Sequence, residues 1–189
     1  TTGLLHEKYG IPGIQLVDGP AGIKVNPENV EQANGTLAPL SIPTGKGNFM
    51  DLFDESMMVG HIEDGQAHYF YATAWPVATV LAQTWNGELL EEIGKAHAVE
   101  MQEFGASVWL APGMNIQRNP LCGRNFEYYS EDPFLSGTMA SAMTKGVQSN
   151  PSTAVSLKHF CANNQEDNRQ YSNSIVSERA LREIYLKGF

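Results

Sequence analysis

Cysteine is scarce in this chain: Cys122 and Cys161 are the two in 189 residues. Two are too few for a disulfide scaffold, and their spacing fits no zinc pattern. The reading that remains is a pair of buried, reduced thiols. Long apolar runs are lacking too, and none approaches the roughly 20 residues of a membrane span. The opening "TTGLLHEKYG" has neither the basic start nor the apolar core of a signal peptide, so a cytoplasmic location is slightly favoured. Basic charge is in short supply: 12 Lys and Arg stand against 21 Asp and Glu, for a formal net charge of −9. Phosphate backbones call for the opposite sign, so nucleic acid is an unfavoured partner. There is no P-loop and no GxGxxG after a strand, which leaves a nucleotide cofactor without support. His61, His68, His97 and His159 show no metal-ligand spacing, and "HIEDGQAH" (61–68) reads as a surface loop. No metal or cofactor is expected. A neutral ligand such as a sugar is compatible with an acidic protein, although charge alone does not select it.

What is present has a rhythm. Ile14, Leu16 and Val17 form a short apolar run closed by the turn signal "DGPAG", which reads as a buried strand ending at Asp18. Residues 26–70 break the pattern: Asn, Pro and Gly recur with no sustained period, and the segment reads as an irregular excursion. Regularity returns with Leu89, Ile93, His97, Met101 and Phe104 at helical spacing, Asn86 as N-cap and Gly105 as stop. "ASVWLAPG" is a second buried strand. A helix is predicted over 130–148, with Pro133 in its first turn and Leu135, Met139, Ala142 and Met143 inward. "TAVSLKHF" is a third strand, and a last helix starts near Ser177 with Leu181, Ile184 and Tyr185 on one face. His97, on an apolar helix face, reads as core.

Apolar strands alternating with helices predict a parallel sheet covered by helices. The unusual residues sit where the strands end. Asp18 closes the first, Arg124 lies in the loop after the second, Lys158 and His159 end the third, and Arg169 follows. Parallel strands put these ends on one side, the side on which a (β/α)8 barrel builds its active site. A full barrel usually needs about 250 residues, so the α/β fold expected here is a partial (β/α)8 TIM barrel. Two Arg, one Lys, one His and one Asp can hold several hydroxyl groups at once, because Asp accepts from adjacent hydroxyls while Lys and Arg donate. Phe126, Tyr128 and Tyr129 either pack against a sugar face or within the protein. Lys158 has three readings: sugar clamp, Schiff-base amine, or structural ion pair.

"DGPAG", "ATAWPVATVLAQTWN", "APGMNIQRNPLCGRNFEYYSEDP", "GVQS", "SLKHFCANNQEDNR" and "SERALREIYLKGF" together resemble glycoside hydrolase family 3, from about residue 10 onward apart from 26–70. The resemblance implies the first part of that family's barrel domain and a retaining, exo-acting β-glucosidase. It implies that Asp18, Arg124, Lys158, His159 and Arg169 bind the hydroxyls of one terminal sugar. Lys24 is a further position, where the family often has Arg. "KHFCANNQE" looks like the glucosidase branch rather than the "KHFPGHG" of N-acetylglucosaminidases. The family's nucleophilic Asp follows an "SDW"-like motif that is absent here, so it and the acid/base Glu are expected beyond Phe189. Glu127 and Glu166 then orient Arg124 or Arg169, and Glu131 and Asp132 favour a helix start. Expected partners are a small carbohydrate, with the rest of the parent polypeptide or a second copy at the open barrel edge. The alternatives are a non-catalytic partial-barrel module that binds sugar or a partner, and a Schiff-base lyase using Lys158.

Overall fold

A computed structural model describes residues 9–11, 13–31, 37–39 and 65–189. It divides into two compact units, residues 24–72 and the remainder.

The larger unit is built on strands β1 (Leu16–Val17), β5 (Val108–Trp109) and β6 (Ala154–Val155). They form one parallel sheet in the order β1-β5-β6, with Val17 opposite Trp109 and Trp109 opposite Val155. A further parallel bridge joins Gly113 to Lys158. Helices α1 (Ala78–Gln83) and α2 (Gly87–Glu103) connect β1 to β5, and α3 (Pro133–Val147) connects β5 to β6. Consecutive strands that neighbour each other, each followed by a helix, are the repeating unit of a (β/α)8 barrel. The fold is therefore α/β, with three consecutive barrel units among the described residues. Helix α4 (Glu178–Ala180) follows β6 and runs on as a wider π turn, Leu181–Tyr185.

Local signals set the helix ends. Asn86 accepts from the Leu89 amide at 3.0 Å, and Asp132 accepts from Phe134 and Leu135 at 2.6 and 3.1 Å. Ser177 accepts from Ala180 at 3.3 Å, and Pro133 stands in the first turn of α3. Gly105 ends α2 with φ +67°, a conformation that glycine adopts without strain.

Trp109 stacks on His97 of α2, ring centroids 4.1 Å apart, so the Val17–Trp109 row faces the helices and is buried. Successive strand residues point to opposite faces. Leu16 and Ile14 therefore lie on the other side and are 48% and 41% exposed. The expectation of a fully buried first strand is thus corrected: three strands do not close a barrel interior around that face. The inner faces of the helices also shift. α2 buries Leu90, Gly94, His97, Ala98 and Met101, while Leu89 is 40% exposed. Contact between α2 and α3 decides this, since a Cβ on Gly94 would lie 2.9 Å from the Gly146 Cα. Glycine lets the two backbones approach there, and that line of approach sets which residues turn inward. α3 buries Ser136, Met139, Ala140, Met143 and Val147, leaving Leu135 and Ala142 partly exposed.

The smaller unit holds β2 (Glu28–Glu31), β3 (Leu37–Pro39) and β4 (Ala67–Tyr69), an antiparallel sheet in the order β3-β2-β4. The excursion reading expected no regular structure here, and the described residues correct it. Strands this short carry too few residues for an alternating pattern to stand out. Val30 is fully buried, and His68 pairs with Glu31 at 3.2 Å. His61, Glu63 and Asp64 lie outside the described residues.

Candidate sugar-binding site

The loops leaving the C-terminal ends of β1, β5 and β6 carry most of the residues singled out from the sequence, and a chain of polar contacts connects them. Lys158 Nζ lies 2.7 Å from Asp18 Oδ1 and 3.6 Å from Glu127 Oε2. Arg124 Nε donates to Glu127 Oε1, and Arg124 Nη2 lies 2.5 Å from His159 Nε2. The Tyr128 hydroxyl stands 3.3 Å from His159 Nδ1, and Asn163 donates to it at 3.4 Å. Asn163 also donates to Glu166 at 2.7 Å, and Glu166 pairs with Arg169 at 2.7 Å. Asp18, Lys158, Arg124, His159 and Arg169 therefore belong to one network. Lys24 lies in the smaller unit and is exposed.

The order of the network is chemically informative. Acids and cations alternate: Asp18, Lys158, Glu127, Arg124, then Glu166 and Arg169. Glu127 is 5% exposed in its side chain and lies between two cations, which compensate the burial of its charge. Glu127 and Glu166 pair with Arg124 and Arg169 respectively, the orienting contacts expected of them. Arg124 has five N–H donors, of which Glu127 and His159 take two. Three remain, and Asp18 keeps a half-exposed carboxylate. The rim thus offers donors and acceptors side by side with no surplus of one sign.

Electrostatics separate the two kinds of group. Burial, then the charges of Arg124 and Lys158, push His159 down to about 4, so the imidazole is neutral at pH 7. Burial opposes the Arg124 charge, and Glu127 more than restores it, leaving the guanidinium above its usual value. Burial also raises the Tyr128 phenol. Tyr128 and Tyr129 are buried in the protein, whereas Phe126 is 51% exposed. Cys122 is buried and Cys161 partly exposed, both as free thiols.

Sequence reasoning missed the amides that hold this arrangement. Gln117 Nε2 donates to Thr79 Oγ1 and to the carbonyls of Asn125 and Tyr128 at 2.8–2.9 Å. Thr79 Oγ1 lies 3.0 Å from each of the same two carbonyls and donates its single proton between them. Helix α1 and the β5 loop thereby fix the turn that presents Arg124. Asn115, 1% exposed, bonds to the backbone of His159 and Cys161. The signal was available in "MNIQRN": polar amides directly after a buried strand need buried partners. A separate cleft of about 1020 Å³ opens beside Trp85, Phe134, Lys145 and Lys187, and it contains none of the network residues. The network residues lie on the rim instead.

Beta-glucosidase A of Butyrivibrio fibrisolvens is 43% identical over 182 residues, 96% of this chain and 17% of that protein. An exo-α-(1→6)-L-arabinopyranosidase of Bifidobacterium breve is 40% identical over 97% of this chain and 20% of its own length. The structure of beta-glucosidase 3B from Thermotoga neapolitana in complex with α-D-glucose superposes with a TM-score of 0.72 at 50% identity, over 95% of this chain and 20% of that one. The chain thus spans 17% to 20% of the length of these relatives. Residues 56–189 match the glycosyl hydrolase family 3 N-terminal domain, and with three barrel units beneath the rim the chain belongs to that family.

Proposed function

We propose that this chain supplies the sugar-binding rim of a retaining, exo-acting β-glucosidase that removes terminal β-linked glucose from oligosaccharides or glucosides. The observation that carries the reading is the continuous network from Asp18 through Lys158, Glu127, Arg124 and His159 to Arg169, in a chain of family 3. Asp18 accepts from hydroxyls, while Lys158, Arg124 and Arg169 donate through the N–H groups their carboxylates leave free. His159 steadies Arg124, and a hydroxyl reaching its Nε2 exchanges with the Arg124 N–H.

Retaining hydrolysis needs two carboxyl groups about 5–5.5 Å apart, one attacking the anomeric carbon and one serving as acid and then base. Every described carboxylate of the network is paired with a cation, and Asp132 caps α3. We assign these acids to holding cations and sugar, and place nucleophile and acid/base outside them. The Schiff-base alternative is weaker, because Lys158 Nζ would have to leave both Asp18 and Glu127 before attacking a carbonyl. The outer edges of β1 and β6 are assigned to strand partners, either more of the same polypeptide or a second copy.

The test is a titration of D-glucose into the isotope-labelled 189-residue chain, read by amide and side-chain NMR. Saturable shifts at the rim are expected, and Arg124→Ala and Lys158→Ala should remove them. Competition with L-arabinose separates the two terminal sugars. Absence of any rim shift sinks the sugar reading, and turnover of a nitrophenyl β-glucoside that vanishes in Glu127→Gln sinks the assignment of the carboxylates.

A further inference from the structure

Asn115 follows β5 and is almost fully buried, at 1% exposure. It makes four contacts, all with one segment of the β6 loop. Its Nδ2 lies 2.8 Å from the His159 carbonyl and 3.2 Å from the Cys161 carbonyl. Its Oδ1 lies 2.6 Å from the His159 amide nitrogen and 3.2 Å from His159 Nδ1. Two carbonyls can only accept, so the amide must turn its NH2 toward them. Its oxygen then faces the His159 backbone N–H and ring, and no other orientation satisfies both sides.

The ring of His159 is constrained from its other side as well. Arg124 has only donors, and its Nη2 reaches His159 Nε2 at 2.5 Å, so Nε2 must carry the lone pair. The proton then resides on Nδ1, where Asn115 Oδ1 accepts it. We propose that Asn115 is a positioning residue that fixes His159 as the Nδ1–H tautomer and so makes its Nε2 the anchor for Arg124. The consequence reaches the substrate site through one intermediate. With Nε2 accepting, Arg124 is held by Glu127 on one side and His159 on the other, and its remaining N–H groups are pre-oriented. With Nε2 protonated, two donors would face each other and the guanidinium would be displaced.

Arg124 demands a lone pair at Nε2, and at Nδ1 no other described group supplies the matching constraint. Lys158, Glu127 and Glu166 act on His159 through charge, which biases protonation but does not choose between the two neutral tautomers. The Tyr128 hydroxyl stands 3.3 Å from Nδ1, yet a hydroxyl both donates and accepts and accommodates either form. Only the amide oxygen, pinned by two carbonyls behind it, is restricted to accepting.

The tautomer is independent of any sugar, whereas its effect on affinity rests on the proposed function, so the experiment reads the two separately. In the 15N-histidine-labelled chain, His159 should show a protonated Nδ1 and an unprotonated Nε2. Asn115→Leu should scramble or invert that pattern. Tyr128→Phe, which keeps the Asn115 oxygen facing Nδ1, should leave it unchanged. The His97 signals, from a ring stacked on Trp109, report whether each variant is folded. In the same samples Asn115→Leu should weaken glucose binding tenfold or more. An Nε2–H tautomer in the wild type, or a folded Asn115→Leu with unaltered His159 signals, overturns the proposal. Loss of the tautomer with glucose never binding to any variant leaves the positioning role intact and rejects the sugar reading instead.

Discussion

Two histidines, one on the helix face of the sheet and one on the rim at the strand ends, are both held near pKa 4 and yet do different things. His97 lies among α2 side chains against Trp109, and burial alone lowers it, opposed only by Glu100. His159 lies on the rim, where the charges of Arg124 and Lys158 add to burial. The first histidine is packing: its ring fills space between helix and strand. The second is wiring, with a partner at each ring nitrogen. A low pKa therefore marks burial in general, and only the partners around it mark a functional site. The same contrast runs through the larger unit. On the helix side, contacts are apolar and close enough that glycine is needed at Gly94 and Gly146. On the rim, contacts are charged and alternate in sign.

The comparison can be broken most forcefully on the packed side. Trp109→Ala should cost about 3–5 kcal/mol of stability, as for other buried aromatics, and lower the midpoint of urea unfolding accordingly. Next comes Glu127, the buried carboxylate of the rim. Glu127→Gln removes the charge shared by Arg124 and Lys158 and should cost about 3 kcal/mol, because it leaves the Arg124 charge uncompensated while Lys158 keeps Asp18. A destabilisation below about 1 kcal/mol in the same unfolding assay would show that the rim is solvated rather than wired.

The pH dependence separates the histidines further. A pKa lowered in the fold means that the unfolded chain binds the extra proton first. The stability this contributes is fully present above pH 6.5, the unfolded value, and is lost as pH falls toward about 4. For His97 the loss is on the order of 3 kcal/mol. His97→Phe should flatten the stability profile between pH 6.5 and 4 while His159 still titrates. A profile of unchanged slope would mean that His97 does not titrate differently in the two states. The smallest effect is expected at Asp18, whose carboxylate is half-exposed. Asp18→Asn should change stability by about 1 kcal/mol or less while weakening glucose binding by tenfold or more, separating a ligand contact from a structural one.

Much of the helical framework was legible in advance for a local reason. Asn86, Asp132 and Ser177 cap helices through bonds that span two or three residues, and Gly105 stops one through its own φ. Such interactions are written in consecutive positions. The face each helix buries was less legible. Leu89 fits the stripe by spacing but stands partly exposed, because the approach of Gly94 to Gly146 sets the rotation of α2. The rim was half legible. Asp18, Arg124, Lys158, His159 and Arg169 are conspicuous as charges after strands, whereas Asn115, Gln117, Asn163 and Thr79 are common residues whose roles depend on distant carbonyls and hydroxyls.

By itself the sequence determined the alternation of strand and helix, the helix caps and the placing of charged residues after strands, because each depends on neighbours along the chain. Only the tertiary structure decided which carboxylate meets which cation, which nitrogen of His159 carries the proton, and which side of β1 is covered. Those outcomes depend on atoms separated by up to 140 residues, as between Asp18 and Lys158, and no local spacing encodes a contact at that range.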